Sequence, residues 1–201
     1  MIANKYIYYF FLMLFIFLIQ LLNAQNIEFK RANFKTDKKG LKAAKNNIQI
    51  GDKYREQAIL NFLNHQDAIY ESENALFYYY KAYSFNSKNA YLNYKIGNML
   101  LFTNNKQFAK DYFQESVVFD IVFDEYFYLF YGMALQLDEQ YDKALESYQN
   151  FLKNSKKSIV NEFNLFVNKY IEQCNNASDL LNMQPKAWVD NLLINSEYDD
   201  W

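Results

Sequence analysis

Apolar and polar positions recur with a helical period through most of the chain, and between residues 89 and 153 one layout occurs twice. The first copy reads Tyr91-Leu92-Asn93-Tyr94-Lys95-Ile96-Gly97, then Leu100, Ala109, Phe113 and Ser116. The second reads Tyr126-Phe127-Tyr128-Leu129-Phe130-Tyr131-Gly132, then Leu135, Ala144, Tyr148 and Phe151. Gly97 to Gly132, Ala109 to Ala144 and Phe113 to Tyr148 are each 35 residues apart. Each copy predicts two amphipathic helices joined by a polar turn, Thr103-Asn104-Asn105-Lys106 in one and Asp138-Glu139-Gln140 in the other.

The spacing has a packing sense. Glycine inside a helix costs about 1 kcal/mol against alanine, so Gly97 and Gly132 must gain something from the missing side chain. They let the second helix of each pair approach closely. Ala109 and Ala144 are the matching small residues on that helix. Phe113 and Tyr148 lie four residues on, on the same face, and fill the space beside the contact. An earlier, irregular unit repeats the second-helix pattern at Ala75, Tyr79, Ala82 and Tyr83, with Ala75 preceding Ala109 by 34. Gly51 is the candidate partner on its first helix. It lies 24 residues before Ala75, against 12 in the later units, which predicts either longer helices or an insertion around Asn61 to Ser72. A further amphipathic stretch, Ser158 to Leu181, carries Ile159, Phe163, Phe166, Tyr170 and Ile171 on one side and is expected to cover the last repeat.

A period in the thirties with this internal layout resembles the tetratricopeptide repeat. The resemblance implies an all-α fold, an α-α superhelix of about three helix pairs with a capping C-terminal helix. Two departures are the absence of Trp at the fourth position (Asn93, Tyr128) and of proline after the second helix, where Ser87 stands in the first unit. Further motifs, Lys38-Lys39-Gly40-Leu41-Lys42, Gly51-Asp52-Lys53-Tyr54, Tyr79-Tyr80-Lys81-Ala82-Tyr83 and Tyr170-Ile171-Glu172-Gln173-Cys174, are similar to the N-terminal repeats of Gram-negative OmpA-family proteins. In that group the repeats precede a WD40-like propeller and a peptidoglycan-binding domain. Val189 to Asp200 looks like the lead-in to the propeller, and the chain ends at Trp201. The expectation is a short form or a truncation of such a protein, without the peptidoglycan-binding function.

Composition narrows the class in the same direction. Only four residues of 201 are glycine and one is proline, too few turn formers for a barrel or sandwich. Hydrophobic residues at 51% and aromatic residues at 20% argue for a packed fold. A net charge of −2 argues against a nucleic-acid partner. Cys174 is the sole cysteine and His65 the sole histidine, which excludes an internal disulfide, a thiolate zinc site and a Cys–His dyad. Residues 1–24 have the form of an export signal: Lys5, an apolar run from Tyr6 to Leu22 broken only by Gln20, and Ala24 at the expected cleavage position. A retained anchor is the competing reading, and both put the remainder outside the cytoplasm, in the periplasm or at the periplasmic face of the outer membrane.

The expected order is therefore a signal over 1–24, a basic lead-in helix over 25–47, repeats over 48–157, a capping helix over 158–181 and an extended tail over 182–201. The function expected is a non-catalytic scaffold that binds a partner protein or peptide in the groove lined by first helices. Positions one turn either side of each glycine are the expected contacts: Tyr94 and Asn98 in one unit, Leu129 and Met133 in the next. Tyr91, Leu101, Tyr126 and Gln136 flank them. The Lys and Asn set that clamps a peptide carboxylate in some tetratricopeptide proteins is not reproduced by Lys95 and Asn98 alone. The competing assignment is packing of these aromatics against neighbouring repeats or the N-terminal helix.

An enzyme is not expected. The acidic residues Glu71, Glu73, Asp138, Glu139 and Asp142 fall at helix ends or polar faces. His65 sits between Asn64 and Gln66 in a polar stretch, suited to solvation or capping. No phosphate-binding glycine loop, nucleophile elbow or HExxH is present, and no cofactor, metal or small-molecule substrate is expected. Lys30, Arg31, Lys35, Lys38, Lys39, Lys42 and Lys45 put seven positive charges in 16 residues against Asp37 alone. That run makes either a solvated face or a contact for anionic lipid headgroups or an acidic partner surface. Cys174 is expected to be a buried core thiol, the alternative being an exposed one that cross-links two chains.

Overall fold

The computed structural model describes residues 26–117 and 123–182. The expected signal segment, Pro185 and the expected propeller lead-in lie outside the described residues. Those described are helical, with no strand among them. Two compact units divide them, and each is treated by itself.

The first unit contains α1 (Lys38–Leu63), α2 (Ile69–Tyr83), α3 (Ala90–Leu100) and α4 (Ala109–Val117), the last entered through a 3-10 turn at Lys106–Phe108. Successive helices pack on one another, α1 on α2, α2 on α3 and α3 on α4. The second unit contains α5 (Phe127–Leu137), α6 (Tyr141–Asn154) and α7 (Lys157–Asn182), with α5 on α6 and α6 on α7. The fold is all-α: three helix pairs, α1–α2, α3–α4 and α5–α6, and a terminal helix.

Each pair is joined by one glycine and one aromatic ring. A Cβ on Gly51 would lie 2.5 Å from Cε1 of Tyr79, one on Gly97 2.8 Å from Cδ2 of Phe113, and one on Gly132 2.5 Å from Cε1 of Tyr148. All three rings are fully buried, as are Ala75, Ala109 and Ala144. The spacing in the first pair differs because α1 runs 26 residues, not because of an inserted segment. In the second unit α7 lays Phe163, Val167 and Cys174 against the core, all without exposure. Tyr170 stacks on Tyr148 at 5.7 Å and Phe163 meets Phe151 edge-on at 6.0 Å.

Helix ends follow the polar residues. The Asp37 side chain accepts from the Gly40 N–H at 2.7 Å, and the Asn89 side chain from the Leu92 N–H at 2.9 Å. At the other end, α1 and α5 close through left-handed residues that are not glycine, His65 (φ 56°) and Glu139 (φ 60°). Gln66 N–H then bonds Asn61 C=O at 2.8 Å, and Gln140 N–H bonds Leu135 C=O at 3.0 Å. These are the long-range closures of Schellman caps.

The lead-in expected to be helical over 25–47 becomes helical only at Lys38. Upstream, the backbone spends its hydrogen bonds on the loop between α2 and α3. Ile27 N–H donates to Lys88 C=O at 2.9 Å, and Ile27 C=O accepts from the side-chain amides of Asn86 and Asn89. Asn26 Oδ1 accepts from Ala90 N–H at 3.1 Å. Phe29 and Phe34 pack with Phe85, the closest centroids 4.8 Å apart. A helix there would forfeit these contacts.

Candidate functional site

The four residues expected to line a groove do not share one environment. Tyr94, Asn98 and Leu129 have no solvent exposure, whereas Met133 is half-buried. The expectation that Tyr94, Asn98 and Leu129 are exposed is corrected accordingly. Leu101 is also buried, and Tyr91 is 38% exposed.

Tyr94 and Asn98 lie one turn apart on α3, and both meet Arg55 of α1. Arg55 Nε donates to Asn98 Oδ1 at 2.8 Å, and Nη2 donates to the Tyr94 hydroxyl at 3.1 Å. The guanidinium carbon stands 5.4 Å from the Tyr94 ring centroid. One turn earlier on α1, Asp52 Oδ1 accepts from the Tyr79 hydroxyl at 2.8 Å and from Lys95 Nζ at 2.7 Å. Lys95 Nζ also sits 4.2 Å above the Tyr91 ring. Burial, reinforced by the Asp52 carboxylate, pushes the Tyr79 phenol well above its ordinary value. The phenol therefore stays protonated and donates. This cluster ties α1, α2 and α3 together by charge-assisted hydrogen bonds. Asn98 Nδ2 is its one buried donor without a partner.

A second feature, which the periodicity did not flag, opens on the other side of the first unit. A cleft of about 730 Å³ lies among α2, α3, α4 and the turn before α4. Tyr80, Tyr83 and Tyr112 contribute rings, Asp111 and Glu115 carboxylates, and Asn93 a buried amide. Tyr112 stands 6.3 Å from Tyr80 and 5.8 Å from Tyr83, both at steep angles. Burial raises the phenols of Tyr80 and Tyr83, with Tyr112 adding to both and Glu115 to Tyr83. At the cleft Tyr80 is 39% and Phe108 52% exposed, and Phe77, elsewhere on α2, is 55% exposed. Large apolar side chains turned outward beside a cleft mark a contact surface more often than isolated ones do. A signal was present in the sequence: Phe77, Tyr80 and Phe108 fall outside the apolar stripe of their own segments.

In the second unit Gln136 joins the core and the last helix. It accepts from the Tyr148 hydroxyl at 2.8 Å and donates to Gln173 at 3.1 Å. Burial pushes the Cys174 thiol up to about 11, and the residue has no exposure. His65 is exposed in the turn after α1. Among the described residues no group of three or more His, Cys, Asp or Glu could hold a metal ion, and no helix is long and apolar enough to cross a membrane.

No protein-family model matches the chain, and neither a curated protein nor a solved structure is significantly similar to it. The specific likeness to tetratricopeptide and OmpA-family proteins gains no support from these comparisons. The repeat-like architecture of helix pairs rests on the geometry.

Proposed function

We propose that the protein is a non-catalytic interaction module, and that it engages a partner protein through the face of the first unit formed by α2 and α4. The observation that carries this is the pair of part-exposed rings Tyr80 and Phe108 at an open cleft, on a scaffold of helix pairs, with Phe77 exposed on the same helix as Tyr80. Burial of Tyr94, Asn98 and Leu129 moves the reading away from the first helices. Large rings at a surface offer contact area at low entropic cost and are favoured where proteins meet. Export to the periplasm, implied by the form of residues 1–24, belongs to the same proposal, as does the absence of a nucleic-acid or small-molecule substrate.

Site-specific photo-crosslinking tests it. A benzophenone side chain at position 77 or 108, in cells that express the native chain, should give one discrete adduct, identified by mass spectrometry. Tyr112→Ala should abolish that adduct, and position 165, where Leu165 is 78% exposed on α7, should not give it. No adduct, or the same adducts from all three positions, overturns the proposal.

A second reading is favoured by one observation. All seven basic side chains from Lys30 to Lys45 are exposed, and the ion pair of Lys30 with Glu28 is local. We propose that this face contacts anionic lipid. Sedimentation with vesicles containing anionic lipid should fall steeply between low and high salt and be lost on reversing three of the lysines. Equal binding to neutral vesicles sinks it.

A further inference from the structure

We infer that the segment before α1 has two conformations: docked on the loop between α2 and α3 in solution, and an N-terminal extension of α1 on an anionic lipid surface. The inference rests on the lipid reading of the basic residues and adds what that surface does to the chain. Arg31, Lys35, Lys38, Lys42 and Lys45 follow one another at intervals of four, three, four and three residues. Those intervals put all five on one side of a helix. The structure starts α1 at Lys38, so Arg31 and Lys35 stand outside the helix that would complete the stripe.

What holds them outside is tertiary. The buried side chains of Asn86 and Asn89 both donate to Ile27 C=O, at 2.7 and 3.1 Å, and Phe29 and Phe34 pack on Phe85. Nothing local forbids a helix, since no glycine or proline lies between Asn26 and Lys39. Two effects oppose the extension in water. It gives up the docking contacts and the Asp37 cap on Gly40 N–H. It also makes like charges helical neighbours, and these repel. An anionic bilayer reverses the second effect, because lipid headgroups along the stripe attract every charge in it. Docking therefore wins in solution, and the extension gains where phosphates face the stripe.

The test is far-UV circular dichroism together with vesicle sedimentation of the native chain. Vesicles containing anionic lipid should raise its helix content, and neutral vesicles should not. Ile27→Cys with Lys88→Cys lets the segment be tied to the loop by a short thiol-specific linker, since the two backbones already meet at 2.9 Å. The tied chain should lose most of the helix gain and bind anionic vesicles about tenfold more weakly than the same variant capped with a monofunctional reagent. Asn86→Ala weakens docking without touching a basic residue, so it should tighten vesicle binding by about fivefold. A merely structural role for Asn86 would not tighten it. Salt-sensitive sedimentation without a gain of helix, equal binding by tied and capped chains, or no tightening in Asn86→Ala each overturn the inference and leave the lipid reading standing. Failure to sediment with anionic vesicles, or equal sedimentation with neutral ones, removes both. A helix gain with soluble polyglutamate as large as that with anionic vesicles reassigns the stripe to an acidic protein and overturns lipid as its occupant.

Discussion

Gly132 of α5 and Tyr148 of α6 touch so closely that a methyl group on the glycine would sit 2.5 Å from the ring's Cε1. The ring is fully buried, and its hydroxyl is held by Gln136 at 2.8 Å, so it has no room to withdraw. Two effects oppose each other in Gly132→Ala. Helix propensity favours alanine by about 1 kcal/mol, while forcing a methyl into a filled site costs about 1–3 kcal/mol. The clash wins because both sides are fixed. Gly132→Ala should lower stability to chemical denaturation by about 1 kcal/mol, and adding Tyr148→Leu should recover part of the loss relative to Tyr148→Leu alone. A stabilised Gly132→Ala protein would show that the close contact does not limit the pair.

The caps at His65 and Glu139 predict the opposite sign. A side chain in the left-handed region costs about 1–2 kcal/mol, and glycine there returns some of that to unfolded-chain entropy. Glu139→Gly should stabilise the protein by about 0.5–1 kcal/mol, measured as a shift in the denaturation midpoint. Glu139→Ala should not.

The Asp52 carboxylate is shared by Tyr79 and Lys95. The Lys95 side chain is 7% exposed and that of Asp52 36%. Removing a partner from a fully buried pair costs about 3–5 kcal/mol. Water reaching Asp52 reduces this, so Asp52→Asn should cost about 1–3 kcal/mol. The loss should be visible in equilibrium unfolding, with helicity in the folded baseline retained.

Cys174 makes the protein alkali-sensitive. Its thiol is raised from 9.0 to about 11 by burial. Between those values the unfolded chain releases the proton and the folded one keeps it, so the unfolded state binds fewer protons and stability falls as pH rises from 9 to 11. The contribution is whole below pH 9. The denaturation midpoint of the native chain should therefore drop across this window more than that of Cys174→Ala. At pH 8 the thiol should alkylate slowly unless denaturant is added.

The helix pairs were legible in the sequence because their contacts are close along the chain and recur. Gly97 and Phe113 are 16 residues apart, as are Gly132 and Tyr148, and one turn of polar residues brings each pair face to face. The partner of Gly51 was legible too, by analogy of pattern, although α1 is longer. Arg55 was not. It meets Asn98 across 43 residues, and no local period links an arginine on α1 to an amide on α3. Tyr94 was misjudged for the same reason: on its own helix it lies on the side that the repeat pattern leaves open, and Arg55 closes that side. The segment from Asn26 to Phe34 was read as helix, since its docking on the loop before α3 depends on residues some 60 positions away.

What the sequence determined by itself was the all-helical class, the pairing of helices and the glycine–aromatic contact in each pair. Helix formation and hairpin packing are settled within at most 46 residues, the span from Lys38 to Tyr83, and the scarcity of glycine and proline removes the alternatives. Only the tertiary structure decided which faces are covered and which remain open. That depends on the third neighbour of each helix, which α1 supplies to α3 through Arg55 and Asp52, and which the outer edge of α2 and α4 lacks within the first unit. The tyrosine cleft lies where the pattern of a single pair ends and the stacking of pairs begins.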